Sequence, residues 1–236
     1  MQTSGTEALK RAAAERAAEW IEDGMTVGLG TGSTVRHLLD VIAERRAAGE
    51  WSRIVGVPTS EDTETRARAL GIPLATLAER SRIDVTIDGA DEVDARLRLI
   101  KGLGAALLRE KVVASVSAAL VIVADDSKVV ERLGTRAPVP VEVDPFAAAV
   151  LPAFFRSVGA EPTLRSRDGS TVVTDGGHWI YDCRFPDGIA DPEGLEVMLN
   201  NRPGVVENGL FLGMATAAVI AGADGVRVMR APEGGA

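Results

Sequence analysis

The sequence predicts an α/β fold in which helices flank a parallel sheet and a smaller α+β lobe is inserted into the larger domain. Three observations support this prediction. The chain has 236 residues, enough for one large or two small domains. Its composition, 46% hydrophobic and 25% charged, is that of an ordinary globular protein. Strand-like runs alternate with helical spacing up to Pro138, and the pattern changes after that residue.

The first half alternates helices and strands, which is typical of βαβ units. An alanine-rich helix ends before Gly24, a common C-terminal cap, and helical spacing places Val35, Leu38 and Leu39 on one face of the second helix. Short apolar runs predict the strands. In chain order we predict helix Glu7–Glu22, strand Met25–Gly30, helix Thr34–Ala48, strand Arg53–Val57, helix Thr59–Leu70, strand Ile83–Ile87, helix Ala105–Ser115 and strand Ala119–Ala124.

The second half predicts a different arrangement, which begins among Pro138, Pro140 and Pro145. Apart from one extra strand, its pattern is that of a split βαβ, ferredoxin-like lobe. The predicted elements are strand 139–143, helix 146–157, strands 161–166, 171–174 and 178–183, helix 191–200 and strand 204–208. The last segment, Gly209–Arg230, is again apolar, and we expect it to return to the first sheet. We therefore predict a Rossmann-like domain of residues 1–135 and 209–236 with an inserted ferredoxin-like lobe, residues 136–208.

Charge and cysteine content argue against several classes of protein. A net charge of -8 provides no global attraction for nucleic acid or acidic lipid. A single cysteine, Cys183, and two histidines supply neither an intrachain disulfide nor zinc-finger spacing. No apolar run reaches the length of about 18 residues that spans a bilayer, and the N-terminal segment lacks the apolar core of a signal peptide. We therefore expect a cytoplasmic protein that binds neither nucleic acid nor membrane.

A glycine-rich loop, Gly28–Thr34, connects a predicted strand to a predicted helix. In an open parallel sheet, ligands bind at the carboxyl ends of the strands, where this loop lies. Its glycines let backbone N–H groups approach a ligand, and Ser33 and Thr34 add hydroxyls at a helix N-terminus, which favours a phosphate. A dinucleotide-binding fingerprint needs a third glycine where this loop has Ser33, so the loop is weak evidence for binding a nicotinamide dinucleotide. The alternative is a tight turn in which Ser33 or Thr34 only caps the helix.

An acidic cluster, Asp88-Gly89-Ala90-Asp91-Glu92, follows the predicted strand Ile83–Ile87. Its carboxylates could bind a divalent metal, orient sugar hydroxyls or form a solvated turn. A further cluster, Asp125-Asp126-Ser127-Lys128, follows the strand Ala119–Ala124 and makes Lys128 a candidate for binding an anionic ligand.

A second glycine-spaced loop, Lys101–Gly104, carries a cation and leads into an apolar helix that contains Glu110. Charged residues in such a helix are either paired structurally, here with Arg109 or Lys111, or functional. A partly buried Glu suits a general base. We expect all four clusters to meet at one sheet edge. That set suits proton transfer next to a carbonyl of a small phosphorylated, hydroxylated substrate.

At these residues the chain resembles ribose-5-phosphate isomerase of the A type. The resemblance runs over essentially the whole chain, in order and at family spacing. The matching segments are GLGTGST (28–34), DGADEVD (88–94), KGLGAAL-REK (101–111, apart from Leu108), DDSK (125–128), PVPVEV (138–143), VVTD (172–175) and PGVVENGLF (203–211).

The resemblance implies interconversion of ribose 5-phosphate and ribulose 5-phosphate in the non-oxidative pentose phosphate pathway, with no metal and no organic cofactor. It implies that Glu110 is the general base. We add the hypothesis that Asp88, Asp91 and Lys101 are the other catalytic residues, with Lys101 stabilising the negative oxygen and the two aspartates holding hydroxyls and moving protons. The implied substrate-binding residues are Thr31, Gly32, Ser33, Thr34, Asp88, Gly89, Ala90, Asp91, Lys101, Gly102, Leu103, Gly104 and Lys128. Lys10 aligns with a lysine that approaches the phosphate. The implied partners are the phosphosugar and a second copy of the chain, as a homodimer or a dimer of dimers.

The chain departs from the family pattern at three places. Leu103 replaces a glycine and would be strained if that position needed a positive φ. Leu108 stands where Thr is common, and Gly176-Gly177-His178 replaces Asn-Gly-Asn. The alternatives to an active isomerase are a sugar-phosphate sensor domain, a nicotinamide-dependent dehydrogenase, a scaffold protein, and a retained site whose activity is lost at Leu103.

Overall fold

The helices and strands follow the predicted order, with shifts of a few residues at their ends. The computed structural model describes residues 2–230; residue 1 and residues 231–236, the two ends of the predicted larger domain, lie outside the described part. The helices are α1 Gln2–Ala18, α2 Ser33–Ala47, α3 Glu61–Ala69, α4 Leu107–Ser115, α5 Leu151–Ser157 and α6 Pro192–Asn200, with a 3₁₀ turn at Asp126–Lys128. The strands are β1 Thr26–Leu29, β2 Val55–Pro58, β3 Val85–Gly89, β4 Glu92–Val93, β5 Leu99–Ile100, β6 Leu120–Asp125, β7 Val139–Val143, β8 Glu161–Leu164, β9 Ser166–Arg167, β10 Ser170–Thr171, β11 Trp179–Arg184, β12 Val205–Asn208, β13 Leu210–Phe211, β14 Ala217–Gly222 and β15 Gly225–Arg230.

The chain divides into two compact units. The first contains the described residues up to Ala90, Arg109–Lys128, and the described residues from Met214 onward. The second contains Asp91–Leu108 and Val129–Gly213. It is larger than the predicted insertion of residues 136–208, because β4, β5 and β13 pair as a three-stranded antiparallel sheet within it. Strands of two residues have no periodicity from which the sequence could have predicted them.

The first unit is built on a six-stranded sheet with the order β15-β14-β6-β3-β1-β2. The pairs from β14 to β2 are parallel, and only the edge strand β15 is antiparallel to its neighbour. Apolar residues from alternate positions of the strands form one core cluster with alanines of α1 and the apolar face of α2. The predicted α/β fold with a mainly parallel sheet is therefore confirmed.

The second unit contains a four-stranded antiparallel sheet with the order β12-β7-β11-β8. With α5 after β7 and α6 after β11, this is the predicted split βαβ, ferredoxin-like arrangement. The extra strand predicted at 171–174 is reduced to Thr171, which ends the short hairpin of β9 and β10, and to an isolated antiparallel bridge between Val173 and Trp179. Helix α5 starts later than predicted, since the preceding residues form turns in which Asp144 Oδ1 accepts the N–H of Phe146 at 2.8 Å.

Glu92, the last residue of the acidic cluster, has a structural role in the second unit. It is fully buried, and its carboxylate accepts the backbone N–H groups of Gly134 and Arg136 at 2.6 Å and of Ala137 at 2.7 Å. Charge-assisted hydrogen bonds of this kind are stronger than neutral ones. Glu92 thus holds the segment that leads into β7.

We predict that Glu92→Gln lowers the free energy of unfolding by about 2–4 kcal/mol, because an amide NH₂ group would face a buried N–H donor. Urea unfolding checks this, with Glu131→Gln as the control. Glu131 is exposed, and its substitution should change stability by less than about 0.5 kcal/mol. Equal stabilities of the two variants would contradict the role given to Glu92.

Candidate active site

The N-terminus of α2 is open at the glycine loop. Gly32 is its N-cap residue, with φ 112°, and no side chain caps the helix. The alternative in which Ser33 or Thr34 caps the helix is therefore wrong. The backbone N–H groups of the first turn, together with the positive end of the helix dipole, are available to an anion at this exposed loop.

Thr31 joins the glycine loop to the residues that follow β2. Its Oγ1 lies 2.8 Å from Oγ1 of Thr59 and donates to Oγ of Ser60 at 2.8 Å. Thr63 completes this hydroxyl cluster by donating to the carbonyl of Gly30 at 2.7 Å. Sequence reasoning assigned Thr59, Ser60 and Thr63 only to a helix. Their position after a parallel strand was the signal that could have placed them at the binding edge.

Asp88 lies at the end of β3 with only 1% of its surface exposed. Its Oδ1 accepts the backbone N–H of Thr31 at 2.9 Å and that of Gly89 at 2.7 Å, so the carboxylate is held in one orientation. A Cβ atom at Gly30 would lie 2.2 Å from the same Oδ1, so glycine is required there. A solvated turn is thus the wrong interpretation for Asp88.

Glu110 lies in the first turns of α4 and is buried, with 4% of its surface exposed. Val113, one turn further along the same face, approaches β1 because Gly28 has no side chain: a Cβ atom at Gly28 would lie 3.0 Å from Val113 Cγ1. The face of α4 that carries Glu110 is therefore packed toward the sheet. The guanidinium of Arg109 lies 3.4 Å from the exposed Glu61.

Lys128 ends the 3₁₀ turn that follows β6 and is half-buried. The turn is fixed at its start by Asp125, whose Oδ1 accepts the N–H of Ser127 at 2.9 Å and also the Ser127 hydroxyl. Within the first unit, β1, β2, β3 and β6 therefore each end in polar residues at the carboxyl edge, as the parallel sheet requires.

Lys101 belongs to the second unit and follows β5, which corrects the expectation that its loop ends a strand of the parallel sheet. It is 2% exposed, and its N–H donates to the carbonyl of Gly209 at 2.9 Å. Its Nζ lies 5.3 Å from the centre of the Phe211 ring, a cation–π contact that orients the side chain. Asp91 accepts the backbone N–H of Leu103 at 3.0 Å and thereby binds the same loop.

Leu103 is not strained. The left-handed conformations near it belong to Gly102, with φ 107°, and to Ala105, with φ 63°. Leu103 has no positive φ, and 41% of the residue's surface is exposed. The replacement of a glycine at this position therefore costs no backbone strain.

The sequence itself has close relatives. A family profile described as "Ribose 5-phosphate isomerase A (phosphoriboisomerase A)" matches residues 55–225. Ribose-5-phosphate isomerase A of Gloeobacter violaceus is 54% identical over 222 residues, which covers 94% of this chain and 95% of the relative. That of Roseiflexus castenholzii is 52% identical over 225 residues, with 95% and 96% covered. The chain belongs to the ribose 5-phosphate isomerase A family.

Solved structures agree with membership of the isomerase A family. The ribose 5-phosphate isomerase from Plasmodium falciparum superposes with a TM-score of 0.92 at 39% identity, covering 95% of this chain and 98% of its own. A D-ribose-5-phosphate isomerase in complex with phospho-erythronic acid also gives a TM-score of 0.92, at 40% identity, with 95% and 98% covered. The resemblance predicted from the motifs is thus confirmed.

In this member of the isomerase A family, the predicted site residues divide between the two units. The first unit contains Thr31, Gly32, Ser33, Thr34, Asp88, Gly89, Ala90, Glu110 and Lys128. The second contains Asp91, Lys101, Gly102, Leu103 and Gly104. Hydrogen bonds join Thr31 to Asp88 in the first unit and Asp91 to Leu103 in the second. Lys10 pairs with Glu7 at 2.7 Å on α1.

Among residues 2–230, no three His, Cys, Asp or Glu side chains are grouped so that they could hold a metal ion. Cys183 is buried, and burial raises the pKa of its thiol, so it stays protonated and unreactive at neutral pH. No helix in the described part of the chain has the length and apolar character needed to cross a membrane.

Proposed function

We propose that this chain interconverts D-ribose 5-phosphate and D-ribulose 5-phosphate by proton transfer, without a metal or an organic cofactor. The observation that carries the proposal is the match to isomerase A relatives over 94% of the chain at 54% identity. The open N-terminus of α2 and the buried carboxylates of Asp88 and Glu110 are the groups that such a reaction needs.

The phosphate binds at the glycine loop in this proposal. The uncapped N–H groups of α2 donate to its oxygens, and the hydroxyls of Ser33 and Thr34 are next to them. Lys128, at the carboxyl edge of the same sheet, adds a positive charge. Because the net charge of the chain is -8, such local donors are what offsets its general repulsion of an anionic substrate.

Glu110 acts as the base in the proposed reaction. Its carboxylate takes the C2 proton of the open-chain aldose, the electron pair forms the C1–C2 double bond of an enediolate, and the proton returns at C1. Lys101 stabilises the oxygen that becomes negative. Asp88 and Asp91 hold hydroxyls and move the proton between the two oxygens, and Asp88 assists ring opening.

A relative that is 40% identical is known in complex with phospho-erythronic acid, which is consistent with a phosphosugar ligand for this chain. Such an acid joins a phosphate to a short hydroxylated chain that ends in a carboxylate. The carboxylate is planar and negative, as an enediolate is, so a site that binds it is suited to the intermediate rather than only to the sugar. A homodimer stays a prediction from the family resemblance, and a cytoplasmic location stays a prediction from the composition and apolar pattern of the sequence.

We predict that the chain converts ribose 5-phosphate to the ketose at the same rate with and without EDTA. The rate of ketose formation is the measurement. Loss of conversion in EDTA would keep the reaction but make Asp88 and Asp91 metal ligands. Binding without conversion in either buffer would overturn the enzymatic proposal in favour of a sensor or a disabled site.

A further inference from the structure

Arg165 makes an unusual set of contacts in the second unit. It follows β8, and only 10% of its side chain is exposed. Its Nη1 donates to the carbonyl oxygens of Gly102 at 2.9 Å and Leu103 at 3.2 Å. Its Nε donates to Asp182 Oδ2 at 3.0 Å, and its Nη2 donates to Oδ1 of the same carboxylate. One guanidinium therefore joins the ferredoxin-like sheet to the loop of Lys101.

Asp182 fixes the direction of this guanidinium. It lies on β11 between two neighbouring strands, opposite Thr163 of β8 and Pro140 of β7. A bidentate carboxylate holds the planar fork in one orientation, and the remaining N–H groups then point at the two carbonyls. A lysine ammonium could not reproduce this geometry.

The loop has a conformation that needs such support. Ala105 has φ 63°, a left-handed conformation that its Cβ disfavours. Its N–H closes a turn onto the carbonyl of Gly102 at 3.0 Å, the same oxygen that Arg165 binds. Asp91 accepts the N–H of Leu103, which points from the opposite edge of the same peptide group. Arg165 and Asp91 thus bind the C=O and the N–H of the peptide group between Gly102 and Leu103, and Arg165 also binds the carbonyl of the next peptide group.

We infer that Arg165, oriented by Asp182, is a positioning residue that keeps Lys101 and Asp91 in their reactive geometry; this rests on the proposed function. Arg165 acts through the loop rather than on the substrate. Lys101 contributes most in the transition state, where the substrate oxygen becomes negative. A loosened loop should therefore lower kcat more than it raises KM.

The test compares Arg165→Lys and Asp182→Asn with the matched control Arg98→Lys. Arg98 is also a half-buried arginine of the second unit, but its guanidinium binds the carboxylates of Asp94, at 2.6 Å, and Glu193, at 3.2 Å, instead of loop carbonyls. We expect kcat to fall at least about tenfold in Arg165→Lys, with KM changed less than about threefold, and a smaller fall in Asp182→Asn. Arg98→Lys should lower the melting temperature and keep kcat.

Amide hydrogen exchange provides a second readout, since Arg165→Lys should speed exchange at residues 101–105 specifically.

Wild-type kcat in Arg165→Lys, or a loss of kcat equal to that of Arg98→Lys, would overturn the positioning role. If Arg165→Lys does not fold, Asp182→Asn decides by the same kcat and KM measurement. A wild type without turnover overturns the proposed function, whereas an active wild type with an equally active Arg165→Lys overturns only the inference.

Discussion

Glu110→Gln should lower kcat for ribose 5-phosphate by about 10³-fold while the protein still binds the phosphosugar. The amide has nearly the volume of the carboxylate but cannot accept the C2 proton. Glu110 is buried on the face of α4 that packs toward the sheet, so a near-isosteric change disturbs the packing least. Steady-state kinetics measure the loss, and calorimetric titration with ribose 5-phosphate measures binding.

Glu131→Gln is the matched control for Glu110→Gln, because it makes the same chemical change at an exposed position. It should leave kcat, KM and the melting temperature unchanged. Full activity in Glu110→Gln would remove Glu110 as the base. A loss of activity accompanied by an equal loss of folded protein would make its role structural.

Gly30→Ala should both destabilise the first unit and nearly abolish turnover. The added Cβ would lie 2.2 Å from Asp88 Oδ1 and 2.6 Å from Asp88 Cα, so the backbone of β3 or the loop must move. Overpacking of this kind costs about 1–3 kcal/mol. A displacement of about 1 Å of the Asp88 carboxylate is enough for a hundredfold loss of rate.

Gly89→Ala is the stability control for Gly30→Ala. A Cβ atom at Gly89 would meet only the carbonyl oxygens of Thr31 at 3.5 Å and Val123 at 4.0 Å, which are ordinary contacts. Thermal unfolding should therefore show a clear loss for Gly30→Ala and little change for Gly89→Ala. Two variants of equal stability would contradict the close approach between Gly30 and Asp88.

In a parallel sheet the residues that follow the strands lie together at the carboxyl edge, and this rule predicted from sequence alone that Thr31 and Asp88 are close to each other. Each follows a strand of the same sheet, and the sequence marks both strands by apolar runs and both ends by glycine and polar residues. The same rule could not place Lys101, since its strand β5 has two residues and belongs to another sheet.

Contacts between distant segments were beyond sequence reasoning. Arg165 reaches carbonyl oxygens of Gly102 and Leu103, and a backbone carbonyl leaves no sign of its partner in the sequence. Glu92 looked like a member of an acidic ligand cluster until its carboxylate was found on three backbone N–H groups. Residue types predict which groups are present, whereas the fold decides which of them are used for structure.

Isomerisation of ribose 5-phosphate in D₂O, followed by NMR, tests the central claim most directly. Proton transfer through an enediolate, with Glu110 as the base, predicts deuterium at C1 of the ribulose 5-phosphate that forms, because a carboxyl proton can exchange with solvent before it returns. Complete transfer of the C2 hydrogen to C1, with no deuterium in the product, would contradict a solvent-exchanging base and indicate a hydride shift.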